Sequence, residues 1–385
     1  MNTAILGTSF GDESKGRISH YLSTQYDYII RTSGSENCGH TIYIDDKKYV
    51  YHYLPSLDFR DGGFRNTKAF LGAGMVINPE NLLLEVQLFE QSFPGCAKKI
   101  IVDPYAFLIK PEHIAEDKAK NAHIGSTNKG VQPAYSDKIS RTGQRLIDIL
   151  STSKAIQELK NLGVTFTSAY EMLKIFKKSK CLFEGAQGVL LDLNFGTYPY
   201  VTSSDCTVSS IGAAGFNSIK IDEVLGICKG GYSTRVGNGP FPTELFGPEA
   251  DTLVKIGKEF GATTGRQRRV GAMDLVALKY ACDIGGITSL VLTKLDVLNG
   301  FEKIKICTSY RGGFRGPNDF INAEPNYMTT PGWQDARNPC KNVRQFVKIV
   351  EEVTNRKVKF ISAGLGNRDV FNVSDIDFGS IGVTL

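Results

Sequence analysis

The stretch that decides the fold is LGTSFGDESKGR, residues 6–17. It follows the apolar run 4–6, which is typical of a strand, and it leads into a predicted helix. Glycine lets backbone N–H groups approach an anion closely, and a helix N-terminus adds a favourable dipole. The loop therefore has the ingredients of a phosphate cradle, with glycines at Gly7, Gly11 and Gly16.

Three charged side chains in this loop limit what it can hold. Lys15 can neutralise a phosphate, whereas Asp12 and Glu13 would repel one unless either binds Mg²⁺ or acts as a base. The loop matches neither the GxxxxGK[ST] nor the GxGxxG pattern. On this stretch alone, a strand–turn–helix with solvated charges is an equally good interpretation.

The composition is that of an ordinary globular protein, with 385 residues of which 41% are apolar and 22% charged. This length fits either several domains or one large α/β unit with insertions. The net charge of +5 is spread along the chain, which argues against a nucleic-acid partner. No apolar stretch approaches the roughly 20 residues of a membrane span, and no signal region precedes the first predicted strand.

The cysteines are scattered and form no CxxC motif, which indicates reduced thiols rather than a disulfide framework. We therefore expect a cytoplasmic protein. The eight positions are 38, 96, 181, 206, 228, 282, 307 and 340.

Strand-like and helix-like segments alternate, which is typical of an α/β fold with a mostly parallel sheet. We expect one catalytic domain over 1–385, with a central sheet, helices on both faces and insertions. The region 311–340 is the most irregular. The predicted strands are 3–8, 27–32, 41–44, 48–53, 98–102, 181–183, 223–228, 288–293, 304–309 and 357–362. The predicted helices are 15–24, 79–92, 111–119, 137–150, 168–178, 247–259, 271–284 and 341–354.

A second informative stretch, SGSENCGHT at residues 33–41, follows the predicted strand 27–32. His40 lies between glycine and threonine in a predicted loop that could expose its ring. A lone histidine is more often structural, although its titration near neutrality suits a proton donor. Loops after neighbouring parallel strands lie side by side at the edge where ligands bind, so this stretch and residues 6–17 are expected to form one site.

The pair GDESKG and ENCGHT resembles the signature of the adenylosuccinate synthetases, whose pattern is close to GDEGKG and NNAGHT. The similarity continues in order and covers residues 3 to about 366, so the chain is identified as a member of that family. The further matching stretches are IGSTNKGVQPAYSDKISR (124–141), FEGAQGVLLDLNFGTYPYVTSS (183–204), STRVGNGPFPTEL (233–245), GATTGRQRR (261–269) and LTKLDVL (292–298).

The resemblance implies a ligase that joins L-aspartate to C6 of IMP through a 6-phosphoryl intermediate, using GTP and Mg²⁺. Asp12 would remove the N1 proton and touch Mg²⁺, and His40 would act as acid or electrostatic partner at O6. Lys15 would offset phosphate charge, and Gly39 would offer a backbone carbonyl to the metal.

For the nucleotide donor, TKLD at 293–296 resembles the NKxD guanine-binding motif of GTPases. Asp296 could accept hydrogen bonds from guanine N1 and N2, and the Lys294 stem could pack on the ring. A surface turn is the alternative. The full predicted donor set is Gly11, Glu13, Ser14, Gly16, Gly39, Thr41, Lys294, Asp296, Ser362 and Gly364.

For the acceptor nucleotide, Thr127 and Thr202 resemble the residues that hold the 5′-phosphate, although either could be a helix cap. Gln187 and Asn37 are expected to contact the same nucleotide, and Val236 to offer a backbone carbonyl near the sugar. Arg141 aligns with a residue supplied to the partner's active site, which implies a homodimer. Otherwise it is a surface arginine on the predicted helix 137–150.

The stretch GATTGRQRR is expected to bind L-aspartate. Arg266 and Arg268 are forked donors for carboxylates, and Thr263 and Thr264 add hydroxyls and backbone N–H groups. No aromatic residues are interleaved, so a nucleic-acid interpretation is weaker.

The chain departs from the family pattern at several places. Ser14 replaces a glycine of GDEGKG, Ala272-Met273 replaces Gly-Trp, and the chain is shorter than most bacterial members. ISAGLGNRD at 361–369 stands where the family has ISTGPDR, which leaves ATP as an alternative donor. A phage branch of the family uses dGMP in place of IMP, but members of that branch often lack the aspartate present here as Asp12.

Two other classes of function are weaker. A regulatory nucleotide-binding switch would draw support from TKLD, but it has no Walker A motif and no need for an aspartate loop. A protein without activity is opposed by the intact set of Asp12, Lys15, His40 and the two loop arginines.

Overall fold

Short strands and helices alternate along the chain in the computed structural model, which describes residues 1–45, 47–60, 66–121, 125–261, 265–338 and 340–376. The strands are β1 (Thr3–Gly7), β2 (Tyr28–Arg31), β3 (His40–Ile44), β4 (Lys47–Tyr51), β5 (Lys68–Leu71), β6 (Val76–Ile77), β7 (Ile100–Val102), β8 (Phe107–Leu108), β9 (Thr165–Phe166), β10 (Cys181–Glu184), β11 (Glu223–Lys229), β12 (Tyr232–Arg235), β13 (Arg269–Asp274), β14 (Ser289–Thr293), β15 (Lys303–Tyr310), β16 (Pro325–Pro331), β17 (Lys357–Ser362) and β18 (Val370–Asn372). The helices are α1 (Lys15–Ser23), α2 (Pro79–Ser92), α3 (Pro111–Lys120), α4 (Val131–Ser140), α5 (Lys154–Leu162), α6 (Ala169–Phe176), α7 (Ser209–Ile211), α8 (Pro248–Gly257), α9 (Leu275–Gly285) and α10 (Lys341–Thr354).

The central sheet has ten strands in the order β18-β17-β14-β11-β1-β10-β2-β5-β7-β9. β1 lies between β10 and β11, with Thr3 opposite Leu182 on one side and Glu223 on the other. All its residues are buried, as expected for a parallel strand covered on both faces. Only the edge pair β17–β18 is antiparallel, so the predicted α/β fold with a mostly parallel sheet is confirmed.

Helices cover both faces of this sheet, as predicted. Side chains alternate across β1, so that Ala4 and Leu6 join one apolar cluster while Ile5 joins the other. Helices α1, α2 and α5 contribute to the cluster around Ile5, and α6, α9 and α10 contribute to the opposite one. The sheet is thereby held as a rigid support for the loops at its ends.

The predicted helix 137–150 is wrong. The helix is α4, and it ends at Arg141, whose φ of 63° lies in the left-handed region. The next two N–H groups, of Thr142 and Gly143, both donate to the carbonyl of Asp137, which satisfies the helix terminus and turns the chain away. A short 3₁₀ turn follows at Leu146–Ile149.

The predicted helix 271–284 is wrong over residues 271–274, which belong to β13. From Leu275 onward the helix is present, as α9. Asp274 ends that strand and caps α9 by accepting hydrogen bonds from the N–H groups of Val276 and Ala277. The region predicted to be irregular also contains β16, which pairs with β15 in a second sheet of order β12-β13-β15-β16. The other strands absent from the predicted set are β5, β6, β8, β9, β12 and β18.

Within the described ranges, no helix is long and apolar enough to cross a membrane. All eight cysteines are free, and only Cys340 is exposed. This agrees with the prediction that the chain carries thiols rather than a disulfide framework.

Candidate active site

Many of the predicted site residues lie at or just beyond the carboxyl ends of β1, β2, β10, β14 and β17. In a parallel sheet these ends meet at one edge, where ligands bind. Hydrogen bonds join the loops there: Thr293 Oγ1 donates to the carbonyl of Glu13 (2.8 Å), and the N–H of Thr8 donates to Ile227 (3.1 Å). These bonds join the loop after β1 to the ends of β11 and β14.

The loop after β1 folds around the carboxylate of Glu13, which is 1% exposed. One oxygen accepts hydrogen bonds from the N–H groups of Ser9 (3.0 Å) and Gly11 (2.9 Å), and the other accepts from Lys15 Nζ (2.6 Å). The loop therefore binds an anion of its own in this structure. That Glu13 contributes to donor binding stays a prediction, since its carboxylate is engaged by these three donors in this structure.

Ser14 and Gly16 fix how this loop enters α1. Ser14 precedes the helix with a φ of 74°, and its side chain makes no capping hydrogen bond. Left-handed backbone disfavours L-residues, which accounts for the glycine expected there. A Cβ on Gly16 would stand 2.5 Å from His40 Cβ, so glycine lets the start of α1 pack against the histidine.

His40 is the first residue of β3 and is buried, so the prediction of an exposed ring in a loop is wrong. Its Nδ1 lies 2.6 Å from Glu184, whose other oxygen accepts from the N–H of Ser56 at 2.9 Å. Burial lowers the pKa of His40, and the neighbouring carboxylate opposes that shift. With Nδ1 engaged, Nε2 is the nitrogen left for a ligand.

Glu184 was not predicted as a site residue. Burial by itself would raise its pKa, but His40 and Arg31 more than offset this and lower the pKa to about 2. In the sequence it follows the apolar run of β10 and lies within the family-matching stretch 183–204. Glu184 therefore orients the imidazole as an ionised buried carboxylate.

Asp12 meets the predicted aspartate-binding segment. Its carboxylate accepts a hydrogen bond from Arg268 Nε at 2.5 Å, and Arg268 Nη1 donates to Glu259 at 2.7 Å. The predicted base and one predicted aspartate-binding arginine are thus in direct contact. Arg266 reaches Asn238 at 3.3 Å, while Thr263 and Thr264 lie outside the described residues.

On the donor side, two buried oxygens of the described residues have no hydrogen-bond partner: Asp296 Oδ1 and Ser362 Oγ. Lys294 Nζ donates to the carbonyl of Gly257 (2.8 Å) and to Glu259 (2.6 Å). Arg17 donates to the carbonyls of the loop after β17, namely those of Gly364 and Gly366. A buried oxygen without a hydrogen-bond partner is costly unless a ligand satisfies it. These two oxygens therefore indicate where hydrogen-bond donors of the nucleotide could bind.

Two of the predicted acceptor residues carry a buried polar oxygen. Asn37 Oδ1 and Gln187 Oε1 are buried and also lack partners among the described residues. A Cβ on Gly125 would stand 3.1 Å from Arg266 and 3.2 Å from Gly237, so the segments that carry Thr127 and Val236 adjoin the aspartate-binding segment. Thr202 is half-buried, and its N–H donates to Leu191.

Comparison with known proteins decides the family. The model of the adenylosuccinate synthetase family matches residues 4–175 and 163–371. Adenylosuccinate synthetase of Petrotoga mobilis is 42% identical over 97% of each chain, and that of Thermotoga maritima is 39% identical over 97% of this chain and all of its own. The chain belongs to the adenylosuccinate synthetase family.

Solved structures agree with this assignment. The fully ligated adenylosuccinate synthetase from Plasmodium falciparum has a TM-score of 0.85 and 30% identity, covering 96% of this chain and 99% of its own. The cyanophage S-2L succinoaminodeoxyadenylate synthetase, bound to dGMP and dATP, has a TM-score of 0.69 at 20% identity, covering 96% and 94%. The second likeness shows the shared fold. As a member of the adenylosuccinate synthetase family, the chain is a ligase that forms a C–N bond.

We expect Ser14→Gly to raise the free energy of unfolding by about 1 kcal/mol relative to Ser14→Ala, because only glycine relieves the left-handed φ. Urea unfolding of the two variants measures the difference. An alanine variant as stable as the glycine variant would contradict the strain assigned to this position.

Glu184 should stabilise the fold in a pH-dependent way. Its folded pKa of about 2 lies below the ordinary value of 4.5, so its contribution is fully present above pH 4.5 and is lost as the pH falls towards 2. The difference in free energy of unfolding between wild type and Glu184→Gln should shrink over that window. The exposed Glu158→Gln is the matched control, and a difference that does not change with pH would refute the assignment.

Proposed function

We propose that the chain joins L-aspartate to C6 of IMP at the expense of GTP, giving adenylosuccinate, GDP and phosphate. The observation that carries the proposal is the contact between Asp12 and Arg268, at the sheet edge where His40 and Lys15 also lie. The relatives named above, with similarity over nearly the whole chain, support the same activity.

The chemistry accounts for the acid–base residues. The C6 oxygen of a purine lactam is a poor leaving group until it is phosphorylated. Asp12 takes the N1 proton, O6 then attacks the γ-phosphorus of GTP, and the bond to GDP breaks. The amine of aspartate adds to C6, loses a proton, and expels O6 as inorganic phosphate.

We assign His40 to the purine O6, the oxygen that bonds to the γ-phosphorus and then leaves C6. The His40 ring lies against the start of α1, and Glu184 contacts its Nδ1. These contacts fix the orientation of the ring and therefore the direction of Nε2. Burial lowers its pKa in the ligand-free protein. Negative charge on O6 and the transferred phosphoryl group would favour the protonated ring, which then stabilises that charge.

Mg²⁺ fits the oxygen atoms that this site offers. The ion prefers carboxylate, carbonyl and phosphate oxygens and keeps several waters, and the partly exposed Asp12 carboxylate and the Gly39 carbonyl would supply two such ligands. When bound, Mg²⁺ offsets charge on the β- and γ-phosphates. Lys15 would do the same once the phosphates replace the Glu13 carboxylate as its partner.

The buried oxygen of Asp296 that has no partner among the described residues favours GTP as the nucleotide donor. Guanine presents N1–H and N2–H₂ donors to Asp296, whereas adenine has an acceptor at N1 and no amino group at C2. Lys294 and Ser362 adjoin the same place, and Gly11, Ser14, Gly16 and Thr41 complete the proposed donor site. The loop after β17 departs from the family pattern, so ATP is the alternative that the assay below must test.

The presence of Asp12 favours IMP over dGMP as the acceptor nucleotide, because members of the phage branch often lack this aspartate. We propose that Asn37, Thr127, Gln187, Thr202 and Val236 bind this nucleotide, and that Thr263, Thr264, Arg266 and Arg268 bind aspartate. The alternative, dGMP with ATP, draws only on the fold shared with the phage protein.

We further propose one catalytic domain over 1–385 that acts as a cytoplasmic homodimer. Arg141 is exposed at the end of α4, where it is free to enter a partner's site. The free thiols support a reducing compartment.

The test is an assay with Mg²⁺, L-aspartate and each pairing of IMP or dGMP with GTP or ATP, following succinyl-nucleotide and phosphate. Product should form with IMP and GTP, and Asp12→Asn should lower kcat by about 10²-fold or more. The matched control is Asp251→Asn, an exposed carboxylate on α8, which should keep the wild-type rate. Product from dGMP alone, or phosphate release without any succinyl product, would refute the proposal.

A further inference from the structure

A buried charge cluster centred on Glu259 lies behind the site. The Glu259 carboxylate is fully buried and accepts four hydrogen bonds. Its donors are Lys229 Nζ (2.9 Å), Lys294 Nζ (2.6 Å), Arg268 Nη1 (2.7 Å) and Tyr232 Oη (2.6 Å). One carboxylate thus holds three basic side chains that come from three different chain segments.

Glu259 stands at the base of the segment proposed to bind aspartate. The N–H of Arg268 donates to the carbonyl of Glu259 (2.9 Å), and the N–H of Gly261 donates to the carbonyl of Arg266 (2.8 Å). Backbone pairing therefore closes the segment at Glu259 and Arg268. The side chain of Glu259 fastens this base to the carboxyl ends of β11 and β14 through Lys229 and Lys294.

The two oxygens of the Glu259 carboxylate contact residues that are proposed to bind different substrates. One oxygen holds Lys294, in the motif proposed to bind the donor base, and the other holds Arg268. Arg268 in turn holds Asp12. A path of three ion pairs, none longer than 2.7 Å, therefore runs from the donor-base motif to the proposed base.

The two ends of this path are joined through the single carboxylate of Glu259, which accepts from Lys294 on one oxygen and from Arg268 on the other. That carboxylate is fully buried, and electrostatic interactions are stronger in a buried environment than at the surface. A donor base packed on the Lys294 stem would restrict that side chain and, through the ion pair, the Glu259 carboxylate. This sets the direction in which Arg268 presents its guanidinium.

We propose that Glu259 is a positioning residue that couples binding of the nucleotide donor to binding of aspartate. The inference rests on the proposed function, because it takes the donor base to Lys294 and aspartate to Arg268. Coupling is reciprocal by thermodynamic necessity, so a change at Arg268 must alter donor affinity even though Arg268 lies on the aspartate side of the carboxylate.

The first test needs no catalysis. Titration calorimetry measures the Kd of Mg²⁺-GTP for wild type, Arg268→Met and Arg356→Met. Arg356 is the matched control, because its guanidinium pairs with Asp283 outside the proposed site. Arg268→Met should raise the Kd about fivefold or more, and Arg356→Met should leave it unchanged.

The second test uses turnover at saturating GTP and IMP. Lys294→Met should raise the KM for aspartate about fivefold or more, although Lys294 lies on the donor side of the carboxylate. Glu259→Gln should raise the KM for aspartate and, when GTP is varied at saturating aspartate and IMP, the KM for GTP as well. In the double variant Lys294→Met/Glu259→Gln, the aspartate KM should not exceed that of Glu259→Gln alone, because the path is already interrupted.

The outcomes separate this inference from the proposed function. Unchanged GTP affinity in Arg268→Met, or an aspartate KM that multiplies in the double variant, would overturn the coupling while leaving the activity intact. Wild-type protein that binds neither GTP nor ATP would refute the donor assignment and the coupling together. A purely structural Glu259 predicts lower thermal stability in Glu259→Gln with both KM values unchanged.

Discussion

The buried carboxylate of Glu13 is the interaction on which the rest of the site depends. It satisfies two backbone N–H groups and Lys15 within a loop of a few residues. To wrap around it the chain adopts positive φ at Gly11, Asp12 and Ser14. This bend turns the Asp12 carboxylate towards Arg268 and begins α1 against His40. A phosphate that replaces this carboxylate would find its donors already in place.

Two further buried carboxylates extend the same arrangement outwards. Glu184, at the end of β10, holds His40, and Glu259, beyond α8, holds Arg268 and Lys294. Each buried carboxylate keeps a functional cation or imidazole in one orientation. Such pairs contribute little net stability when desolvation is counted, but breaking one leaves an uncompensated charge. Their role here is to fix geometry, which phosphoryl transfer and amine addition both require.

The sequence predicts much of the sheet and part of the site, for identifiable physical reasons. β1, β10 and β14 are apolar runs buried on both faces, and their motifs follow directly at the strand ends. The error at 137–150 arose because Arg141 adopts a left-handed φ that no local pattern marks. Short strands such as β6 and β9 carry too few residues to show alternation. Glu184 and Glu259 were missed because their importance lies in partners distant in the chain, which only the tertiary structure brings together.

The most direct test follows the oxygen at C6. If the strand-end loops bring Asp12, His40 and the γ-phosphate of GTP onto that oxygen, it must leave as phosphate. With IMP labelled by ¹⁸O at C6, each adenylosuccinate formed should release one inorganic phosphate that carries the label. Unlabelled phosphate, with the ¹⁸O recovered in water or retained in the product, would contradict the account.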